Sequence, residues 1–275
     1  MSRKRKYKAD KNKRQKPESV RREKFKNRFI SFFNICIVVG LLFPLLFGGY
    51  ALVKFIMTSD KFLVKNVIIQ GNNKLSAEEL KSLIEIEPET RIYSVDIDKI
   101  KEDIKSNSII KYAVVRRKLP DTIVINLVER KPFAKFLYRR KAYEIDFEGV
   151  VIAEIDKNRE NEKLPEIYGI YIIDGKVELG EKVESLKLEM ALKCLEQVFV
   201  SDVSIYFNIV KINISNMQQI VLITDDNIKI QIGNDEIERK LSELAKVLAA
   251  KKKEIKSSSY IDLRFGNVVI RSARN

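Results

Sequence analysis

The longest apolar stretch in the chain runs from Phe29 to Val53 and contains no Asp, Glu, Lys or Arg. Bilayer hydrocarbon is roughly 30 Å thick and about 20 helical residues cross it, so this stretch is long enough to span a membrane with some tilt. It separates residues 1–28 from a much longer C-terminal portion. The pattern therefore predicts a single transmembrane helix over residues 29–53, held in the lipid bilayer.

Two other kinds of segment can contain a long apolar run. A secretory signal peptide has an apolar region of about 7–15 residues followed by a small-residue cleavage site. Here the run is longer, and Gly48-Gly49-Tyr50-Ala51 is the nearest approach to such a site. A buried helix of a soluble domain would have to cover this run on every side, including Phe32, Phe33, Phe43 and Phe47. A retained membrane span is therefore the favoured interpretation.

Between residues 60 and 131, the apolar residues change from strand spacing to helix spacing and back. The predicted order is a strand over 62–70, a helix that begins after Ser76, a second helix around Ile100, and strands over 109–118 and 122–129. Ser76 and Glu79 have the spacing of a capping box, and Pro120 lies in the turn between the last two strands. This order indicates a small α+β domain with its helices on one face of a sheet.

Residues 132–271 continue with a pattern that predicts a mixed sheet and two helices. The predicted helices are Leu186–Phe199 and Glu236–Leu248, each with an apolar stripe at three- and four-residue spacing. The predicted strands include Val203–Ile214, a hairpin of 220–224 with 228–232, and a last strand over Asn267–Arg271. In 228–232, isoleucines alternate with polar residues, as in a half-buried strand. The fold class is α+β, and residues 272–275 are expected to form a C-terminal tail.

Most of the formal net charge of +14 lies before the span. Residues 1–28 hold fourteen Lys and Arg against three acids, a net charge of +11, which leaves +3 for the rest. Short basic flanks of a span stay on the cytoplasmic side, so we expect the basic tail inside the cell and the C-terminal portion outside it. Membrane orientation and anionic lipid account for such a tail. No recognition helix or aromatic interleaving accompanies it, and no nucleic-acid binding is expected.

The chain contains no histidine and two cysteines. Without histidine, Ser-His and Cys-His catalytic pairs are excluded, and so are most zinc sites. Cys36 lies in the predicted span and Cys194 in a predicted helix outside it, so the two cannot form a disulfide with each other. No glycine-rich phosphate loop occurs either. The sequence therefore predicts no enzyme, no cofactor and no metal site.

One segment of the first predicted domain has a distinctive order of residues. It is Arg117-Lys118-Leu119-Pro120-Asp121-Thr122-Ile123-Val124-Ile125, followed by Glu129-Arg130-Lys131-Pro132-Phe133-Ala134. With the Gly71-Asn72 turn and the strand, helix, helix, strand, strand order, it resembles the POTRA domain of the bacterial FtsQ/DivIB cell-division family. Leu119 stands where many members have Tyr. The resemblance implies a POTRA-like domain over residues 60–131.

The resemblance extends towards the C-terminus. The segments Tyr143–Asp146 with Gly149–Val151, Leu164–Gly169 and Tyr260–Phe265 are similar to the family's strand-turn-strand, its Leu-Pro loop and its Asp-Leu-Arg motif. It implies an FtsQ/DivIB-type β domain over residues 132–271.

The last predicted strand is the candidate binding site. Val268, Val269 and Ile270 are continuously apolar, and an uncovered edge of that kind suits strand addition by another chain. The alternative is that Val268 and Ile270, or Val269, simply face the core. In the family, the region after the Asp-Leu-Arg motif receives the FtsB/DivIC partner, alongside FtsL. Carried over, Arg264 and Phe265 would flank the contact, and the three apolar residues would pair with the partner's strand.

The function implied by the resemblance is a bitopic divisome scaffold. It would bind FtsB/DivIC-like and FtsL-like single-span proteins outside the cell (inner) membrane, at the division septum, and help to coordinate septal wall synthesis. The POTRA-like domain would meet other membrane-embedded division proteins. The alternative is a membrane-anchored cell-wall hydrolase or transferase, against which the lack of histidine counts. An outer-membrane translocation factor would need repeated POTRA units and a long barrel, which a chain of this length cannot hold.

Overall fold

A computed structural model describes residues 18–155, 163–172, 175–255, 258–265 and 268–272. Most of the predicted basic tail, 1–28, lies outside the described residues. So do the predicted C-terminal tail beyond Ser272 and Asn267 at the start of the predicted last strand. The chain forms two compact units, Met1–Leu63 and Val64–Asn275.

The first unit is built on helix α1, Glu18–Thr58. Within it, Lys26–Thr58 is long and apolar enough to cross a membrane, judged by length and composition, and no other helix among the described residues is. None of its apolar window is buried inside the protein, unlike the core helix of a soluble domain. The predicted span, 29–53, falls inside this range. A short 3₁₀ helix, Asp60–Phe62, follows α1.

The second unit begins with the predicted strand, helix, helix, strand, strand order. The elements are β1 Asn66–Gln70, α2 Ala77–Ser82, α3 Ile97–Lys105, β2 Ile110–Lys118 and β3 Thr122–Glu129. In this first sheet, β3 lies between a parallel β1 and an antiparallel β2. Strand β1 begins at Asn66, later than the predicted start at residue 62, because the preceding chain includes the 3₁₀ helix Asp60–Phe62.

Local signals in the sequence account for the two helices. The Ser76 hydroxyl accepts the backbone N–H of Glu79 at 3.1 Å, and the Glu79 carboxylate accepts that of Ser76 at 2.9 Å, which confirms the capping box. Asp96 caps α3 by accepting the backbone N–H of Lys99 at 3.0 Å. Apolar residues of the helices and of the sheet are buried together. They are Leu80, Ile100, Ile104, Ala113, Ile123, Ile125 and Leu127.

The rest of the second unit contains, in its described residues, a mixed sheet of nine strands and two long helices. The strands are β4 Ala134–Tyr138, β5 Lys141–Ile145, β6 Val151–Ile155, β7 Glu166–Tyr168, β8 Ile209–Asn213, β9 Val221–Thr224, β10 Lys229–Gln231, β11 Ser258–Asp262 and β12 Val269–Ser272. The helices are α4 Leu186–Val200 and α5 Ile237–Ile255. The strand order in this second sheet is β12-β11-β10-β9-β8-β7-β4-β5-β6.

A row of apolar side chains crosses the second sheet. Paired residue by residue along the strand order, its members are Ile270, Ile261, Ile230, Leu222, Ile212, Ile167, Phe136 and Tyr143. Leu188 and Leu195 of α4 and Leu244 of α5 belong to the same core, so both helices cover this face. The predicted alternation in 228–232 is confirmed, since its three isoleucines are buried.

The predicted strand Val203–Ile214 is wrong in its first half. Residues Asp202–Ile205 form a 3₁₀ helix, and strand β8 begins only at Ile209. Val203 and Phe207 are buried while Ile205 between them is exposed, which a strand with period two could not achieve. Val203 and Phe207 are four residues apart, which is a helical spacing. The apolar residues at 203, 205 and 207 also have the two-residue spacing of a strand, and this led to the wrong prediction. The predicted domain boundaries, 60–131 and 132–271, remain predictions.

Candidate partner-binding edge

Strand β12 is an end strand of the second sheet. It pairs antiparallel with β11, and no described residue forms a strand on its outer side. Val268 and Ile270 are partly buried and pack against the core, as the alternative interpretation held for these two. Val269 points the other way and is 53% exposed. The three predicted residues are therefore split between the two faces of an edge strand.

The turn between β11 and β12 places Arg264 and Phe265 beside this edge. Arg264 folds back on Asp262: its Nη2 donates to Oδ2 at 2.7 Å and its Nε to Oδ1 at 3.0 Å. Its backbone N–H also donates to Asp262 Oδ1, at 3.0 Å. The ring of Phe265 is 76% exposed, and the guanidinium carbon of Arg264 lies 5.0 Å from its centroid. The two predicted flanking residues are thus adjacent, and one of them is a large exposed apolar side chain.

Hydrogen bonds and charge hold this turn in place. The side-chain bond from Arg264 is the largest cause that lowers the pKa of Asp262, to about 2. The Tyr260 hydroxyl lies 2.9 Å from Asp262 Oδ2 and 2.6 Å from Gln231 Oε1. Burial raises the pKa of Tyr260, and the neighbouring Asp262 carboxylate adds to that rise. Asp262 therefore stays ionised at neutral pH and fixes the direction of Arg264.

Lys240 is a supporting residue that the sequence patterns did not identify. It is 2% exposed, and its Nζ donates to Asp235 Oδ1 at 2.6 Å and to the Ile232 carbonyl at 3.2 Å. A Cβ added at Gly233 would lie 3.5 Å from Lys240 Nζ and 3.8 Å from Arg264 Cγ, so these side chains meet at one loop. The available signal was its position within the apolar stripe of α5, next to Leu241. A lysine there requires a polar partner.

The groups at this edge are ones that can contact another chain. They are strand backbone, an exposed aromatic ring and a guanidinium. The described residues contain no group of three or more His, Cys, Asp or Glu that could hold a metal ion. Burial raises the pKa of Cys194 to about 12, so its thiol is not ionised at neutral pH.

Comparison with known proteins identifies the family. The family model "POTRA domain, FtsQ-type" matches residues 62–130, and the model "Cell division protein FtsQ/DivIB, C-terminal" matches residues 137–264. The cell division protein DivIB of Clostridium tetani is 32% identical over 216 residues, which cover 76% of this chain and 79% of that protein. The chain belongs to the FtsQ/DivIB family. The resemblance stated from the sequence is confirmed, and so is the α+β fold with a POTRA domain.

Other FtsQ/DivIB relatives agree. The cell division protein FtsQ of Syntrophotalea carbinolica is 27% identical over 210 residues, covering 75% of this chain and 72% of that protein. DivIB of Clostridium acetobutylicum is 28% identical over 212 residues, covering 76% and 82%. The C-terminal family model ends at Arg264, so Phe265 and β12 lie beyond the matched range. Family membership makes this a cell division protein.

Proposed function

We propose that this FtsQ/DivIB protein is a non-enzymatic divisome scaffold that binds FtsB/DivIC-like and FtsL-like single-span proteins outside the cell membrane, at the septum. The observation that carries the proposal is the uncovered outer side of β12, with Val269 and Phe265 exposed beside it. In this role the protein helps to coordinate septal wall synthesis by holding its partners together.

Strand addition uses the backbone of β12 first. The outward N–H and C=O groups of an edge strand pair with an extended segment of another chain, and alternate side chains give selectivity. Val269 of β12 offers an apolar contact to side chains on one face of the added strand. Ile270 of β12 ends the row of apolar side chains across the second sheet, and a side chain on the other face of the added strand would extend that row. An added strand would therefore bury apolar surface on both of its faces.

The neighbouring turn supplies the anchor side chains. Phe265 presents most of its ring to solvent, and exposed aromatic rings contribute strongly at interfaces. The bonds of Arg264 to Asp262 use its Nε and Nη2, which leaves hydrogens of the guanidinium for a second carboxylate. We expect the partner segment to bring an acidic side chain to Arg264 and an apolar one to Phe265.

The membrane anchor raises the effective concentration of the partners. Helix α1 would confine this protein to the same surface as other single-span proteins, so a modest affinity at β12 is sufficient for assembly. The proposed topology places the basic tail, 1–28, in the cytoplasm and the second unit outside. In intact cells, a Val200→Cys variant should react with a membrane-impermeant maleimide, because Val200 is exposed at the end of α4 and lies outside the proposed partner edge. Labelling only after lysis would contradict this topology.

The decisive binding experiment combines Phe265→Ala with Val269→Lys in the full-length chain. The lysine places a charge where the added strand would pack, and the alanine removes the aromatic anchor, so recovery of the coiled-coil FtsB/DivIC-like partner should be lost. The matched control is Tyr112→Ala with Val128→Lys, which makes the same kinds of change at exposed positions of the first sheet. Equal recovery by the edge variant and the wild type would remove β12 as the binding site.

The POTRA domain has an apolar surface of its own, consistent with contacts to other membrane-embedded division proteins. Ile68, Tyr112 and Val128 are exposed large apolar residues on its three described strands. Loss of such contacts in the Tyr112→Ala, Val128→Lys variant, with the coiled-coil partner retained, would separate the two binding roles. Turnover of wall fragments by the purified full-length chain would contradict the non-enzymatic part of the proposal.

A further inference from the structure

The turn between β4 and β5 has an unusual backbone. Tyr138 pairs with Lys141 across the hairpin, so Arg139 and Arg140 are the two turn residues, and their φ angles are +47° and +69°. Two-residue hairpin turns with both φ values positive favour Asn-Gly, because a side chain in the left-handed region is disfavoured. Two consecutive arginines are therefore held in a conformation that costs stability. Backbone strain of this kind is concentrated at binding and catalytic sites in proteins.

The strained turn is held by its neighbours. The Tyr138 hydroxyl donates to the Gly175 carbonyl at 2.8 Å, and the Arg139 guanidinium carbon lies 5.2 Å from the Tyr138 ring centroid. A Cβ at Gly175 would lie 3.1 Å from the Tyr138 hydroxyl and 3.2 Å from Arg139 Nη2, and the φ of Gly175 is +63°, so the absence of a side chain favours this close approach. The guanidinium of Arg139 is thus oriented before any ligand arrives, which reduces the entropy lost on binding.

A cleft of about 390 Å³ opens beside this turn, and we name it the arginine cleft. Its lining residues are Tyr138, Arg139, Lys141, Tyr143, Gly175, Lys176, Val177 and Glu178. The ammonium group of Lys141 is already paired with Glu154 at 2.8 Å. Of the other charged lining residues, Arg139 and Lys176 have no ion pair with any described residue, and Glu178 carries one negative charge. Arg140, the second turn residue, is not among the lining residues. The described lining residues therefore carry an excess of positive charge, which favours an anionic ligand.

We propose that the arginine cleft binds a phosphate group, as a phosphate ester or a pyrophosphate. A guanidinium presents a planar fork of N–H donors that fits two phosphate oxygens, and the flexible ammonium of Lys176 supplies a further point charge. The phosphate could belong to an anionic lipid headgroup or to a soluble molecule. The cleft lies on strands β4 and β5, at the opposite end of the sheet order from β12. It is therefore a site separate from the partner-binding edge.

The test uses full-length protein in phosphatidylcholine nanodiscs, titrated calorimetrically with inorganic pyrophosphate. The informative variant is Arg139→Asn with Arg140→Gly, because Asn-Gly suits this turn and relieves its strain. It should bind pyrophosphate at least about tenfold more weakly while its melting temperature stays equal or rises. The control, Lys193→Gln with Lys246→Gln, removes the same charge from exposed positions on α4 and α5 and should bind as the wild type does.

The basic N-terminal segment is common to all three proteins, so the site is measured as the difference between their titrations. Equal binding by the wild type and the Asn-Gly variant would overturn the proposal, and so would an equal loss in the control. The source of the phosphate is decided by repeating the titration in phosphatidylglycerol nanodiscs. If the wild type binds pyrophosphate more weakly in phosphatidylglycerol than in phosphatidylcholine nanodiscs, and the Asn-Gly variant shows no such difference, the result supports a lipid headgroup as the ligand. Equal binding by the wild type in both lipids supports a soluble phosphate at the same site.

Discussion

The guanidinium of Arg130 and the carboxylate of Asp146 meet at 2.5 Å where the chain passes from the first sheet to the second. Asp146 is 1% exposed and also accepts the backbone N–H groups of Glu148 and Val150. Nearby, the Ser108 hydroxyl donates to the Ile152 carbonyl at 2.7 Å. Arg130 directly follows β3 and Ser108 precedes β2, while Asp146 directly follows β5 and Ile152 lies in β6, so part-buried polar contacts join the first sheet to the second.

Removal of this guanidinium should be costly. In Arg130→Ala, the buried Asp146 carboxylate loses its counter-charge, and we expect the free energy of unfolding to fall by about 3 kcal/mol. Chemical denaturation of the detergent-solubilised protein measures this loss. Arg130→Lys retains the charge and should lose less. If Arg130→Ala lowers the free energy of unfolding by no more than a typical surface substitution does, the pair does not stabilise this junction.

The stability of the partner-binding edge should depend on pH in the acid range. The pKa of Asp262 is about 2 in the folded protein against an ordinary value of 3.8, because Arg264 and its backbone N–H bind the ionised form. A lowered pKa contributes stability above the unfolded value, and this contribution is lost as pH falls through about 4 towards 2. It amounts to about 2 kcal/mol. Unfolding measured between pH 5 and pH 2 should show this loss in the wild type and a smaller one in Asp262→Asn.

Cys194 should be inert in the folded protein. Burial raises its pKa to about 12, so at pH 8 almost no thiolate is present and access is blocked as well. In a Cys36→Ser background, which leaves Cys194 as the one thiol of the sequence, a thiol reagent should react only after denaturant is added. Rapid labelling in native conditions would mean that α4 separates from the core on its own.

Gly71 and Gly149 differ in how much room each leaves for a side chain, so alanine at the two positions should have different effects on stability. Both have positive φ, +88° and +83°, but a Cβ at Gly71 would lie 2.0 Å from the Leu127 carbonyl oxygen, whereas at Gly149 the nearest atom is a side-chain carbon at 3.4 Å. Gly149→Ala should therefore cost about 1 kcal/mol from φ alone. Gly71→Ala should cost clearly more, above about 2 kcal/mol, because the backbone of β3 must shift. Equal melting temperatures for the two variants would contradict this difference.

Much of the fold follows from local sequence signals. The capping box at Ser76 and the alternation around Ile230 specify elements that need only near neighbours, and both are confirmed. The Val203 region fails because its apolar spacing fits a strand and a 3₁₀ turn about equally, and packing against α4 and α5 decides between them. Local pattern cannot resolve that choice.

The candidate site was also predicted only in part from the sequence. A continuous apolar run identified β12 as a strand, but which of Val268, Val269 and Ile270 faces the core depends on the register with β11. That register is set by contacts distant in sequence. The sequence did not predict that Lys240 is buried, because its hydrogen-bond partners, Ile232 and Asp235, come from the loop after β10. The positive φ angles of Arg139 and Arg140 likewise oppose their intrinsic preference and become visible only in the folded hairpin.

The parallel pairing of β10 with β11 has a consequence for quality control. The chain crosses from one strand to the other through α5, and β12 is attached to the sheet through β11 alone among the described strands, so the edge at β12 depends on both α5 and β11 being in place. In the proposed role, a copy in which β11 and β12 do not pair with the sheet presents the edge of β10 instead of β12, without Val269 and Phe265 beside it, and is left out of the division complex. Recruitment at β12 would thereby select correctly folded molecules without a separate checkpoint.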